Sequence, residues 1–98
     1  MDIEKTAIAG TLESSDAMVT VEPGQNGIEL TVSSPVLHQF GRAIKRTVLD
    51  TAGALGVENA RITVNDKGAL ECTLRARLES AIYRSAGQTE NIPWGKKA

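Results

Sequence analysis

Apolar and polar residues alternate in three short runs over the first third of the chain. Four polar residues, 13–16, separate the first run from the second and favour a turn, so these two runs predict a β-hairpin. A segment rich in proline and glycine, 23–27, separates the second run from the third. We therefore expect three antiparallel strands in a meander. Their apolar positions are Ile8, Gly10 and Leu12, then Ala17, Val19 and Val21, then Ile28, Leu30 and Val32.

After the third run the spacing of apolar residues becomes helical. Ser34 followed by Pro35 is a favourable start for a helix, because serine caps the first turn and proline fits its first position. The helix is expected to end between Gly53 and Gly56. Its apolar positions are Val36, Phe40, Ile44, Val48 and Leu55.

The second half of the chain predicts a fourth strand, 60–64, a turn, 65–68, and a second helix, 69–85. The expected buried residues of that helix are Leu70, Leu74, Leu78, Ala81 and Ile82, and the expected solvated residues are Glu71, Arg75, Arg77, Glu79 and Arg84. The order βββαβα predicts an α+β fold. It is a two-layer sandwich in which two helices cover one face of a mainly antiparallel four-stranded sheet. We expect one domain, 1–88, and a C-terminal tail, 89–98.

Composition narrows the function classes that this fold could serve. The 98 residues carry a net charge of −1, so a binder of the nucleic acid backbone is not expected. One cysteine cannot form an internal disulfide, and with one histidine it cannot complete a zinc site, so no metal is expected and a reducing compartment is indicated. Without a leader or a membrane-spanning run, the sequence predicts a cytoplasmic protein that does not contact membranes.

Few residues offer chemistry of their own. Cys72 is expected to be a half-buried thiol rather than a nucleophile paired with His38. Glu13 and Asp16 fit a solvated turn. The sequence therefore predicts no catalytic residues.

Three aromatic residues receive separate interpretations. Phe40 and Tyr83 fall near the apolar stripes and are expected in the core. Trp94 follows Ile92 and Pro93 in the tail, where this apolar cluster either folds back over a sheet edge or docks on another protein. Both interpretations stay open at this stage.

Two hydroxyls at the tip of the predicted hairpin, Ser14 and Ser15, are the unusual feature that remains. A modifying enzyme could reach them there. The surrounding segment, 7–16, closely resembles that of the citrate lyase acyl carrier proteins, the gamma subunits of citrate lyase complexes. Segments 39–44 and 65–79 and the dipeptide Pro93-Trp94 resemble the same family at matching spacing.

The resemblance implies a covalent cofactor, 2'-(5''-phosphoribosyl)-3'-dephospho-CoA, joined to Ser14 by a phosphodiester. Its thiol would hold the acetyl and citryl thioesters while citrate is cleaved to acetate and oxaloacetate. The implied partners are the transferase (alpha) and lyase (beta) subunits, which perform the reactions, and the transferase that attaches the group. The chain itself would be a carrier and not an enzyme.

One position departs from the family pattern, since Ser15 stands where members commonly have glycine. Two hydroxyls therefore compete for the attachment, and position favours Ser14. Two other functions are alternatives: a small interaction adaptor without a prosthetic group, and a stand-alone hydrolase built on Cys72 and His38.

Overall fold

The computed structural model of the chain describes residues 2–35 and 37–87. The elements in chain order are β1 (Ala7–Gly10), β2 (Ala17–Pro23), β3 (Ile28–Ser33), α1 (Leu37–Ala54), β4 (Ala60–Asp66) and α2 (Glu71–Ser85). This order confirms the predicted α+β fold. The predicted tail, 89–98, with Trp94, lies outside the described residues, and so does the side chain of His38.

The four strands form one sheet in the order β1-β2-β4-β3. β1 pairs antiparallel with β2 through partners such as Ala9 and Val19, which confirms the predicted hairpin. β2 also pairs antiparallel with β4, whereas β3 pairs parallel with β4. The sheet is therefore mainly antiparallel, as predicted.

The predicted meander is wrong, because β4 lies between β2 and β3. The reason is the 18-residue helix α1 that joins β3 to β4. A long helical crossover returns the chain to the end of the sheet where β3 began, so the next strand runs parallel beside β3. The buried residues of β4 then gain a strand on each side, while the less buried β3 takes the edge.

Both helices cover the same face of the sheet. α2 packs on β1 and β2, α1 packs on β3, and the two helices pack against each other. This confirms the predicted two-layer sandwich. The residues of the sheet that are buried beneath the helices are Ala9, Ala17, Val19, Val21, Ala60, Ile62 and Val64. The opposite face alternates with them and carries more polar residues, such as Thr20 and Thr63, which are direct neighbours in the β2–β4 pairing.

The predicted apolar stripes of the helices are buried over most of their length. The confirmed core residues are Ile44, Val48, Leu55, Leu74, Leu78, Ala81, Ile82 and Tyr83. Phe40 and Leu70 were expected in the core and are instead 53% and 70% exposed. Leu70 precedes the first residue of α2 as its cap, so it lies off the inward stripe of the helix. Phe40 lies in the first turn of α1 and lines a surface groove with Leu70.

One solvated position was also predicted wrongly. Glu79 of α2 is buried, one helical turn before Tyr83. Burial, and secondarily the negative charge of Glu79, raise the pKa of the Tyr83 hydroxyl. Helical spacing alone placed Glu79 on the outer face, and tertiary packing overrides that pattern.

Candidate functional site

The loop that joins β1 to β2, residues 11–16, carries both candidate serines. Ser14 and Ser15 are exposed there, as the sequence predicted for the tip of a hairpin. The loop starts immediately after Gly10 and ends at Ala17, which are the last residue of β1 and the first of β2. Ser14 is thus a reachable hydroxyl at one edge of the molecule.

The loop backbone is bound to the end of β4 as well as to itself. The Asp16 amide donates to the Glu13 carbonyl at 3.2 Å, which closes the turn around Ser14. The Ser15 amide donates to the Lys67 carbonyl at 2.8 Å, and the Lys67 amide donates to the Asp16 carbonyl at 2.9 Å. The β2–β4 pairing therefore extends beyond the strands and holds the residues on the C-terminal side of Ser14.

Asp16 anchors the loop to helix α2 through its side chain. Arg77 donates from Nε to Oδ1 at 2.9 Å and from Nη2 to Oδ2 at 3.1 Å, a two-pronged geometry that fits guanidinium to carboxylate. Thr11 Oγ1 donates to Oδ2 at 2.7 Å, and the Ala17 amide donates to Oδ1 at 2.8 Å. The Asp16 side chain is only 13% exposed. The prediction of a solvated Asp16 is therefore wrong.

These contacts shift the pKa values of both partners. The hydrogen bonds from Arg77, then those from Thr11 and the Ala17 amide, hold the pKa of Asp16 well below its usual range. The Asp16 carboxylate in turn raises the pKa of Arg77. Both side chains are thus charged at neutral pH, and the ion pair joins the loop to the helix.

We expect Asp16→Asn to lower the melting temperature by several degrees at pH 6, because the Arg77 guanidinium loses its carboxylate. A carboxyl whose pKa is depressed by folding stabilises the native state above its unfolded pKa, near pH 4, and this contribution is lost as the pH falls toward the folded pKa. The gap in melting temperature between wild type and variant should therefore shrink from about pH 5 to pH 2. Arg77→Met is a matched variant that should behave alike. A gap that stays constant down to pH 2 would contradict this account.

Ser15 adopts a backbone conformation that L-residues seldom take. Its φ is 65°, in the left-handed region that favours glycine. Ser15, for which the resemblance implied glycine, thus occupies a position of positive φ. Serine tolerates it here while the Ser15 amide remains bonded to Lys67.

A polar cavity of about 550 Å³ opens beside Ser14. It lies between the β1–β2 loop and the C-terminal ends of β3 and β4, and it is lined by Leu12, Ser14, Ser33, Ser34, Pro35, Asp66 and Lys67. Asp66 was expected in a turn but is the buried last residue of β4. Its carboxylate accepts hydrogen bonds from Ser34 Oγ at 2.8 Å and from the Ala69 amide at 2.9 Å.

A second cavity, the apolar groove, has a volume of about 420 Å³ and shares only Asp66 with the first. It runs between α1 and the start of α2, where the exposed side chains of Phe40 and Leu70 lie along it. Two surfaces of different chemistry thus meet at the buried end of β4, one beside Ser14 and one between the helices.

Known proteins match the chain over almost all of its length. The citrate lyase acyl carrier protein of Escherichia fergusonii is 54% identical over 96 residues, which cover 97% of this chain and 98% of that protein. The citrate lyase acyl carrier protein of Fusobacterium nucleatum is 56% identical over 87 residues, which cover 88% and 93%. The chain belongs to the citrate lyase acyl carrier protein family. Like the other carrier proteins of that family, it is a carrier subunit and not an enzyme.

A second family and a solved structure extend the relationship of this acyl carrier protein. The acyl carrier family model described as malonate decarboxylase delta subunit (MdcD) matches residues 4–85. One chain of a crystal structure of a Pseudomonas malonate decarboxylase hetero-tetramer in complex with malonate has 25% identity and a TM-score of 0.61. The match covers 86% of this chain and 87% of that one. The α+β fold is therefore shared with one chain of a malonate decarboxylase hetero-tetramer.

Of the cysteine and histidine that the sequence singled out, only Cys72 has a described side chain. Cys72 is an exposed free thiol in the first turn of α2, so the prediction of a half-buried thiol is wrong. Within 2–35 and 37–87 no group of acidic, histidine or cysteine side chains could hold a metal ion. Across the same ranges no helix is long and apolar enough to span a membrane.

Sequence reasoning missed Arg77 and Lys67 as parts of the site. Arg77 lies on a helical face that was expected to be solvated, 61 residues from Asp16, and nothing local indicates their pairing. Lys67 stood in a predicted turn, and its place beside Ser15 depends on the pairing of β2 with β4. For Asp16 a signal was present in the sequence, because it directly follows the candidate serines Ser14 and Ser15.

Proposed function

We propose that this chain is the acyl carrier subunit of a citrate lyase complex, with phosphoribosyl dephospho-CoA joined to Ser14 Oγ by a phosphodiester. The observation that carries the proposal is the exposed Ser14 hydroxyl on a loop that is bound on one side to β4 and on the other to α2. A flexible prosthetic group needs an attachment point that is held in place by the fold and that opens to solvent. The open cavity beside Ser14 provides room for the part of the group nearest the serine.

The thiol of the bound group supplies the thioester chemistry by which citrate is cleaved to acetate and oxaloacetate. The chain's own residues hold the arm and present it. Tethering gives an effective concentration in the millimolar range for a short flexible link, so the chain needs no site for a free intermediate. This division of work accounts for a carrier whose sequence predicts no catalytic residues.

The proposed partners are the transferase (alpha) and lyase (beta) subunits of the complex and the transferase that attaches the group. The two catalytic subunits contain the substrate-binding sites, and this chain presents its thioester to each of them in turn. We also propose a cytoplasmic location, since Cys72 is an exposed free thiol and such thiols persist in a reducing compartment.

The intact mass of the protein purified from its natural source tests the proposal. We expect a mass increased by one phosphoribosyl dephospho-CoA group, and peptide mapping should place the addition on Ser14. A protein that is unmodified in cells that contain the attaching enzymes would contradict the carrier function and would support the alternative, an interaction adaptor. The same chain expressed without those enzymes is the control, and it should have the mass of the unmodified sequence.

A further inference from the structure

The lining of the cavity beside Ser14 includes a lysine, Lys67, that takes part in none of the ion pairs found among the described residues. Of the described residues that line it, only Lys67 carries a cation. The other charged residue there, Asp66, is buried, and both of its carboxylate oxygens accept hydrogen bonds. Lys67 is therefore the residue of this cavity that can pair with an anion, while the two carboxylate oxygens of Asp66 are directed to Ser34 and to the Ala69 amide.

Lys67 differs from three of the described arginines. In the described part of the chain, Arg61, Arg75 and Arg77 form ion pairs with acidic side chains, whereas none of the ion pairs found there uses Lys67. Yet the Lys67 backbone is held firmly, by hydrogen bonds to Ser15 and to Asp16. The backbone of Lys67 is thus fixed near the candidate serine, while its exposed ammonium group is available to bind an anion.

Hydroxyl groups complete the polar wall of the cavity. Ser33, the last residue of β3, is exposed and faces the same space as Ser14 and Lys67. A hydroxyl and an ammonium group are both hydrogen-bond donors, and two such donors in the lining of one cavity suit the oxygens of a phosphate. For the apolar groove between α1 and α2, nothing in the described residues indicates which ligand or partner would bind there.

We propose that Lys67 and Ser33 form a phosphate subsite that holds the phosphodiester of the group attached to Ser14. This inference rests on the proposed function, which supplies the phosphate. Lys67 is a positioning residue: its ammonium group pairs with the single negative charge of the diester, and the Ser33 hydroxyl donates to a second oxygen. The contact fixes the direction in which the arm leaves the loop.

The test uses the full chain, loaded with the group, and nuclear magnetic resonance. Loading of the wild type should move the amide resonances of Ser33 and Lys67 as well as those of the loop. Lys67→Met should lose the change at Ser33 and shift the phosphorus resonance of the diester, and Lys67→Arg should restore both. Salt at about 1 M, where the Debye length is about 3 Å, should produce the Lys67→Met spectrum in the wild type.

Lys45→Met, at an exposed position of α1 that does not line the cavity, is the matched control and should leave the spectra unchanged. If the group loads on Ser14 but only resonances of the loop move, the phosphate subsite is wrong and the carrier function stands. If intact mass shows that wild-type Ser14 accepts no group, both proposals fall.

Discussion

Loading of the prosthetic group is expected to be abolished completely in the Ser14→Ala variant. Alanine has no oxygen to form the phosphodiester, and because Ser14 is exposed, the substitution should have little effect on packing. The variant should therefore fold with a melting temperature close to that of the wild type. Intact mass after incubation with the cognate transferase and the group's activated precursor measures the result directly.

Ser15 supplies two matched controls for this experiment. Ser15→Ala removes the competing hydroxyl and should load like the wild type. Ser15→Gly should also load, and it should gain up to about 1 kcal/mol of unfolding free energy because glycine adopts a φ of 65° without the steric cost of a Cβ. An adduct on Ser15, or loading of Ser14→Ala, would overturn the assignment of Ser14.

Local patterns were enough to predict most of the secondary structure. The β1–β2 hairpin follows from two alternating runs around a polar turn, and the inward residues of β2, Val19 and Val21, were predicted from alternation alone. Both helices follow from spacing, since a stripe of apolar residues can be buried on one side only. These features depend on neighbours in sequence, which a pattern can show.

The strand order could not be predicted from the same patterns. The alternating run of β3 suits an edge strand beside β2 as well as one beside β4, and only the crossover through α1 decides between them. The turn at 23–27 looked like a hairpin turn because its residues favour turns in either arrangement. Pairing across the sheet is a property of the whole fold.

The site shows the same division. The resemblance to carrier proteins led to Ser14, and the hairpin pattern placed it in an exposed loop. The loop is held by the side chain of Arg77, from α2, and by the backbone of Lys67, which follows β4. In the sequence Arg77 looks like an ordinary solvated residue and Lys67 like a turn residue. Burial of Asp66 was hidden for the same reason, because its partners, Ser34 and Ala69, belong to different loops.

A substitution of Gly10, the last residue of β1 before the loop, should have the largest effect on stability. Gly10 has a φ of 93°, and a Cβ at this position would overlap the backbone carbonyl oxygen of Ala17 and lie 3.2 Å from Arg77 Cδ. Gly10→Ala therefore forces apart the two strand ends that support the loop. We expect it to lower the free energy of unfolding by about 3 kcal/mol and the melting temperature by roughly 15 °C.

Gly53→Ala is the control that separates this effect from a general intolerance of alanine. A Cβ at Gly53, near the end of α1, would meet nothing within 4 Å, so the change should be neutral or stabilise by about 0.5 kcal/mol through its helix propensity. Because Gly10→Ala acts on the backbone that carries Ser14, it should also slow loading of the group under conditions where the variant is still folded. Denaturant unfolding combined with intact mass measures both effects. A Gly10→Ala protein as stable as the wild type would show that the loop can leave the end of β2 without penalty, and the fixed attachment point proposed for the arm would then be wrong.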